Sequence, residues 1–151
     1  MSIFGAMNTS ASGLTAQRLR MDTISSNIAN ANTTRATINE DGEYEPYRRK
    51  MTVFQPKDEG FSSILQRETA RGESSGSGVR VTSIEEDDEP FKQVYNPNHP
   101  DADENGYVEM PNVDPLKERV DMMSATRSYE ANVTAMNASK SMLMKALEIG
   151  R

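Results

Sequence analysis

Apolar side chains recur at every seventh residue near both ends of this chain, whereas its middle alternates and turns. Met7, Leu14, Met21 and Ile28 carry the first repeat, and Met122, Tyr129, Met136 and Leu143 carry the second. A spacing of seven places such residues on one stripe of an α-helix, the stripe that paired helices bury. Two such helices, one at each end, pack together only if the chain returns on itself. The pattern therefore predicts a mainly α fold with a small β insert: N- and C-terminal helices paired as an antiparallel coiled coil, and a β-rich hairpin and loop region between them.

The first helix is expected from about Ile3 to Ala31, with Phe4, Met7, Ala11, Leu14, Met21, Ile24 and Ile28 along its apolar side. Arg18 and Ser25 fall where a strict 3-4 pattern wants apolar groups, and polar residues there set register at some cost in stability. The run Asn27 to Thr34 should end the helix, because Asn tolerates the left-handed C-terminal conformation. The second helix should start at Pro115, capped by Asp114, and run to about Ile149. Its expected seam is Met122, Thr126, Tyr129, Val133, Met136, Lys140, Leu143 and Leu147. Small residues around it let neighbouring helices approach closely, and its methionines adapt to unlike surroundings. These boundaries divide the chain into residues 1–34, an insert over 35–113 and residues 114–151.

Within the insert, Tyr47 to Phe54 alternates as a strand does, and Phe61 to Arg67 suits a short helical turn. The Gly/Ser stretch over 71–78 reads as a flexible linker. Val79 to Ile84 and Phe91 to Tyr95 suggest a hairpin tipped by the acidic run Glu85 to Glu89 and Pro90. A Pro/Asp-rich loop over Asn96 to Asn105 leads to one last strand, Tyr107 to Met110. Six of the seven prolines lie in this insert.

Composition narrows the possible functions. Leu, Ile, Val and Phe total only 25 of 151 residues, about 17%, below the roughly 20% that signals disorder when charge is high, although the net charge of −6 is too moderate for full disorder. A chain that completes its fold against neighbours fits that shortage. The net charge of −6 argues against a dedicated nucleic-acid binder. The one basic cluster, Arg48-Arg49-Lys50, reads as a solvated strand end. The absence of cysteine removes disulfides and thiolate chemistry. No apolar run reaches the ~18 residues of a membrane helix, and polar residues interrupt any secretory h-region. The expected location is cytoplasmic, or outside by a route without a cleaved signal.

Two motifs look chemical and lack their context. Gly72-Glu73-Ser74-Ser75-Gly76 has nucleophile-elbow spacing but sits in the Gly/Ser stretch, and the chain's one histidine is His99. Asp101 to Gly106 matches half of an EF-hand loop, yet Asn112 stands where the bidentate Glu belongs. The sequence thus offers no catalytic residue, no metal site and no cofactor site.

Longer motifs carry a likeness. Ser10-Ala11-Ser12-Gly13-Leu14-Thr15-Ala16-Gln17-Arg18-Leu19-Arg20, with Ser26-Asn27-Ile28-Ala29-Asn30-Ala31-Asn32-Thr33-Thr34, resembles the N-terminal signature of bacterial flagellar rod and hook proteins. Ser128-Tyr129-Glu130-Ala131-Asn132-Val133 and Met142 to Leu147 resemble the matching C-terminal signature. Val94 to Asp103 and Gly106 to Asp114 narrow the likeness to proximal-rod subunits. The resemblance implies a structural, non-enzymatic subunit of the flagellar basal body. It would be exported without signal cleavage through the flagellar type III apparatus, and would polymerise with copies of itself and other rod proteins into a hollow drive shaft for motility. No nucleic acid, small-molecule substrate or membrane insertion is implied. Phe4, Met7, Leu14, Met21, Ile28, Met122, Tyr129, Val133, Met136, Leu143 and Leu147 would carry assembly. Asn27, Asn30, Asn32, Thr33, Glu130 and Asn132 would be the polar motif residues. Another rod subunit, or a soluble coiled-coil regulator or export chaperone, stays open as an alternative.

Overall fold

The structure, a computed structural model, describes residues 3–39, 42–57 and 78–149. Two helices bracket six short strands: α1 (Ile3–Ala29), β1 (Thr37–Ile38), β2 (Tyr44–Glu45), β3 (Lys50–Pro56), β4 (Val79–Glu86), β5 (Lys92–Tyr95), β6 (Tyr107–Met110) and α2 (Pro115–Ile149). The strands form three separate two-stranded antiparallel ribbons. The expected short helix at Phe61–Arg67 and nearly all of the Gly/Ser stretch lie outside the described residues.

Helix α2 starts as its sequence predicts. Asp114 accepts the Leu116 N–H at its side chain (3.0 Å) and the Glu118 N–H at its carbonyl (2.9 Å), with Pro115 at the first turn. Helix α1 stops for a different reason from the one expected. No described residue other than glycine has a positive φ, so no left-handed Asn ends it. Instead Asn30 turns its side chain back: its Nδ2 donates to the Ser26 carbonyl (2.9 Å) and its Oδ1 accepts from the Thr33 hydroxyl (3.2 Å). A side chain that bonds the helix's own last carbonyls offers the backbone an exit.

The helices lie antiparallel: Gly13 faces Asn132, Met21 meets Thr126, and Asn27 meets Glu118. The buried side chains of the two helices are small or polar but for one. On α1 they are Ser10, Ala16, Thr23, Asn27 and the apolar Ile24; on α2 they are Glu118, Ala125 and Ser139. Glu118, Ala125, Asn132 and Ser139 form their own heptad row, running beside Met122, Tyr129, Met136 and Leu143. The seam is thus turned away from the expected companion row. Lys140 is exposed and Leu147 is 75% exposed. By the register of Gly13 with Asn132, Ile3 stands level with Met142, so Leu147 projects past α1. Buried hydroxyls cost little here because they bond within their own helix. Thr23 donates to the Leu19 carbonyl and Ser139 to the Ala135 carbonyl.

The acidic run does not tip a hairpin. Residues 50–56 pair with 79–86, and residues 92–95 pair with 107–110. Asp87 closes the first ribbon by donating its N–H to the Arg49 carbonyl (2.8 Å), and Asn112 then holds the carbonyls of Asp87 and Glu89. Captured this way, the backbone turns off towards β5 rather than folding back on β4. The β3–β4 ribbon lies against α1. Gly78, at φ +77°, enters β4 where a Cβ would stand 2.5 Å from the Ser12 hydroxyl, so a side chain is barred there on both counts.

A Cβ on Gly13 would sit 3.0 Å from the Asn132 side chain. Gly13→Ala gains about 1 kcal/mol of helix propensity and asks only a flexible amide to yield, so urea midpoints should stay near the parent's. Gly13→Leu should force the helices apart and cost about 1–3 kcal/mol in the same titration.

Candidate functional site

A buried polar clasp forms where α1, the entry to β3 and the first turns of α2 converge. Asn27 and Glu118 are its centre, 1% and 0% exposed. Asn27 uses all of its hydrogen-bonding capacity. Its Nδ2 donates to the Lys50 carbonyl (2.9 Å) and to Glu118 Oε2 (3.0 Å). Its Oδ1 accepts from the Tyr47 hydroxyl (3.0 Å) and the Lys50 N–H (2.9 Å). Glu118 Oε1 accepts from Arg49 Nε at 2.6 Å. The Arg49 guanidinium also reaches Asp87 (3.1 Å) and Asp121 (3.6 Å), and Arg20 of α1 joins Asp121 at 3.4 Å. Asn112 completes the set by accepting the Arg49 N–H at 2.7 Å.

Local sequence explains each placement. Tyr47, Arg49 and the backbone of Lys50 come from one extended stretch whose start is fixed by the Tyr47 N–H on the Thr33 carbonyl (3.1 Å). Glu118 lies at the N-terminal end of α2, where the helix dipole favours a carboxylate. Arg49 is therefore not the solvated strand end that its basic neighbours suggested: its side chain is only 12% exposed. Arg48 instead stacks over the Phe91 ring at 4.4 Å. A network with every group satisfied rigidifies a structure.

Of the polar motif residues, Asn27 is the heart of the clasp and Asn132 packs on Gly13. Asn30 and Thr33 shape the end of α1, while Asn32 and Glu130 are exposed. Met7, Leu14, Met21, Ile28, Met122, Tyr129, Val133, Met136 and Leu143 are half-buried, and Phe4 is 72% exposed. Tyr47, Arg49, Asp87, Asn112 and Glu118 were not singled out as site residues from the sequence. Their chemistry is that of any surface residue until the fold gathers them.

The motifs that look chemical have structural occupations. Asp101 is bound by Arg35 and then by the Thr34 hydroxyl, which hold its carboxyl below the usual carboxylate range. Asp103 accepts the N–H groups of Asn105 (2.9 Å) and Tyr107 (2.8 Å). His99 Nδ1 accepts the Asp101 N–H at 3.2 Å. Among the described residues no three His, Cys, Asp or Glu side chains gather as metal ligands. The Gly72–Gly76 motif lies outside the described residues.

Removing one partner of the clasp strands the other. Glu118→Ala should cost about 3–5 kcal/mol because it leaves the Arg49 Nε–H and the Asn27 amide buried without their acceptor, read as a lowered urea midpoint. Pairing Glu118→Met with Arg49→Met should recover much of that loss, since no charge then stays buried. The clasp also sets an acid limit. The Glu89 N–H, and after it Arg49, hold the Asp87 carboxyl below its ordinary range. A carboxyl depressed in the folded state contributes its full stability above the unfolded pKa of about 3.9, and loses it as pH falls through the lower folded value. Asp87→Asn should therefore flatten the acid limb of stability below about pH 4; an unchanged limb would remove Asp87 from the account.

Comparison with known proteins fits a structural reading of this site. Residues 7–37 match the family model described as "Flagella basal body rod protein", and residues 104–149 match "Flagellar basal body rod FlgEFG protein C-terminal". The two matches fall on α1 with its exit, and on β6 with α2. Over its whole length the chain is 60% identical to the flagellar basal-body rod protein FlgC of Bacillus subtilis, which it covers completely. Over 99% of this chain and 98% of the relative, it is 47% identical to FlgC of Borreliella burgdorferi. It is 41% identical to FlgC of Salmonella typhimurium, with both chains fully covered. A full-length likeness at these identities, with the clasp joining the two family-matched ends, makes this chain a member of the FlgC family of flagellar basal-body rod proteins.

Proposed function

We propose that this rod subunit polymerises with copies of itself and with other rod proteins into the hollow shaft of the basal body. The terminal helices, residues 1–34 and 114–151, act as one coiled-coil module, and residues 35–113 are an insert carried on its side. The clasp sets the relative position of the two, so that each subunit presents the same outer surface to its neighbours. Its role is mechanical, with no reaction to catalyse.

The observation that carries this reading is the amount of apolar surface left bare. Phe4, Leu116, Val120, Met123, Met142, Met144, Leu147 and Ile149 are each more than half exposed, on helices whose buried side chains are mostly small or polar. A lone globular protein seldom spreads large apolar side chains so widely over its helices, and neighbours in a polymer would cover them. A helical array follows when such contacts are heterologous and do not close. Passage through the flagellar type III export apparatus suits a chain without disulfides whose core is thin enough to be unfolded readily. Among the described residues no helix is long and apolar enough to cross a membrane.

Leu143 continues the apolar row of α2 to the level where α1 begins, and Leu143→Asp should abolish swimming while the protein is still made. Fractionation should then find the variant missing from isolated basal bodies. Cells that swim normally with this change would dismiss the row as an assembly surface.

A further inference from the structure

The first turns of α2 are apolar on the side turned away from α1. Leu116, Val120 and Met123 recur there at helical spacing, each more than half exposed, and exposed Arg127 continues the row one turn further on. This side of the helix is opposite Glu118 and Ala125, which are buried. Among the described residues the Arg127 side chain has no ion pair or hydrogen bond. An apolar row that ends in an unpaired cation therefore faces outward.

The outer face of the β5–β6 ribbon is its complement. Tyr95 and Tyr107 pair across the two strands, their rings edge to face with centroids 5.4 Å apart, and are 64% and 45% exposed. Two residues along, Gln93 and Glu109 pair on that same face, while Val94 and Val108 between them point to the other. Gly106, at φ +82°, leaves room for Tyr95 to lie on the turn, where a Cβ would stand 3.0 Å from the ring. Among the described residues no cation lies over either ring, and the Glu109 side chain has no ion pair or hydrogen bond. Two fixed aromatic rings beside an unpaired carboxylate, with nothing of the fold resting on them, are better explained by a partner than by the ribbon.

We infer that the outer face of the β5–β6 ribbon in one copy receives the Leu116–Arg127 side of α2 from a second copy. The spacings match. Four helical residues advance about 6 Å and two strand residues about 6.6 Å, so a helix laid in the direction of β6 with Met123 on the tyrosine rings brings Arg127 to Glu109. A thioether against an aromatic ring is a favourable contact, and the two opposite charges complement each other. Tyr, Met and Arg are also residue types enriched where proteins meet. The inference deepens the rod-subunit reading by naming a contact between copies, and rests on that reading only in requiring that copies meet. The two patches are unlike, so their contact is heterologous, the kind that extends an array.

The test uses the full-length chain with a photo-crosslinking phenylalanine analogue at position 95, mixed as ¹⁴N and ¹⁵N copies at high concentration. The expected product joins position 95 of one isotopic copy to a peptide within Leu116–Arg127 of the other. Glu109→Arg and Arg127→Glu should each lower that yield about tenfold, because each sets like charges against each other in the contact. Their urea midpoints should stay near the parent's, since neither side chain bonds within the described fold. Mixing crosslinker-bearing Glu109→Arg copies with Arg127→Glu copies brings opposite charges together again, and should restore the yield. Crosslinks confined to one chain, or reaching the second copy only outside Leu116–Arg127, would overturn the inference. So would a charge exchange that restores nothing. Both single variants building rods and swimming as the parent does would also remove the contact, and would leave the rod-subunit reading standing.

Discussion

The fold depends on one carboxylate that has no access to water. Glu118 is fully buried, and it is stabilised there only because Arg49 and Asn27 each take one of its oxygens. Charges are removed from water at a cost of several kcal/mol each, so such a group persists only where its partners are held in place. That requirement runs outward. Arg49 must stay at the entry to β3, Asn112 must hold the Arg49 N–H and the carbonyls after Asp87, and α1 must present Asn27 at the level of the first turns of α2. One buried ion pair thus fixes the position of four segments that are far apart in sequence.

The rest of the helix pair is consistent with that anchor. Its buried residues are mostly Ala, Ser, Thr and Asn, which bring the backbones close but remove little apolar area from water. The seam therefore specifies a register more than it supplies cohesion. The long apolar side chains lie on the flanks and ends, half-covered or bare. In an ordinary globular domain that division would be wasteful. In a rod subunit that polymerises as proposed, neighbours would cover those side chains.

Membership of the FlgC family and the fold agree at particular places. The family-matched segments, 7–37 and 104–149, include Asn27 and Glu118 but stop short of Arg49, which lies in the insert. The insert is thus not merely carried by the helices, because it supplies the cation that neutralises their buried carboxylate. The loop that mimics half of an EF-hand, and the His99 just before it, are accounted for by turn formation: Asp103 and His99 accept backbone N–H groups two residues ahead of them.

Local chemistry alone was enough to place α2, because Asp114 and Pro115 act on the backbone immediately beside them and the apolar repeat needs no distant partner. The same holds for the strand at Tyr107–Met110, and for the existence of α1. What sequence could not decide was which stripe of each helix turns inward. Ser, Thr and Asn at heptad spacing carry no hydrophobic signal, so the row of Glu118, Ala125, Asn132 and Ser139 stayed hidden behind the methionines. Strand pairing was equally beyond local reading, since Asp87 and Asn112 redirect the acidic run only once Arg49 is beside them. Arg49 and Glu118 are 69 residues apart, and an ion pair depends on distance in space, which only the folded chain sets.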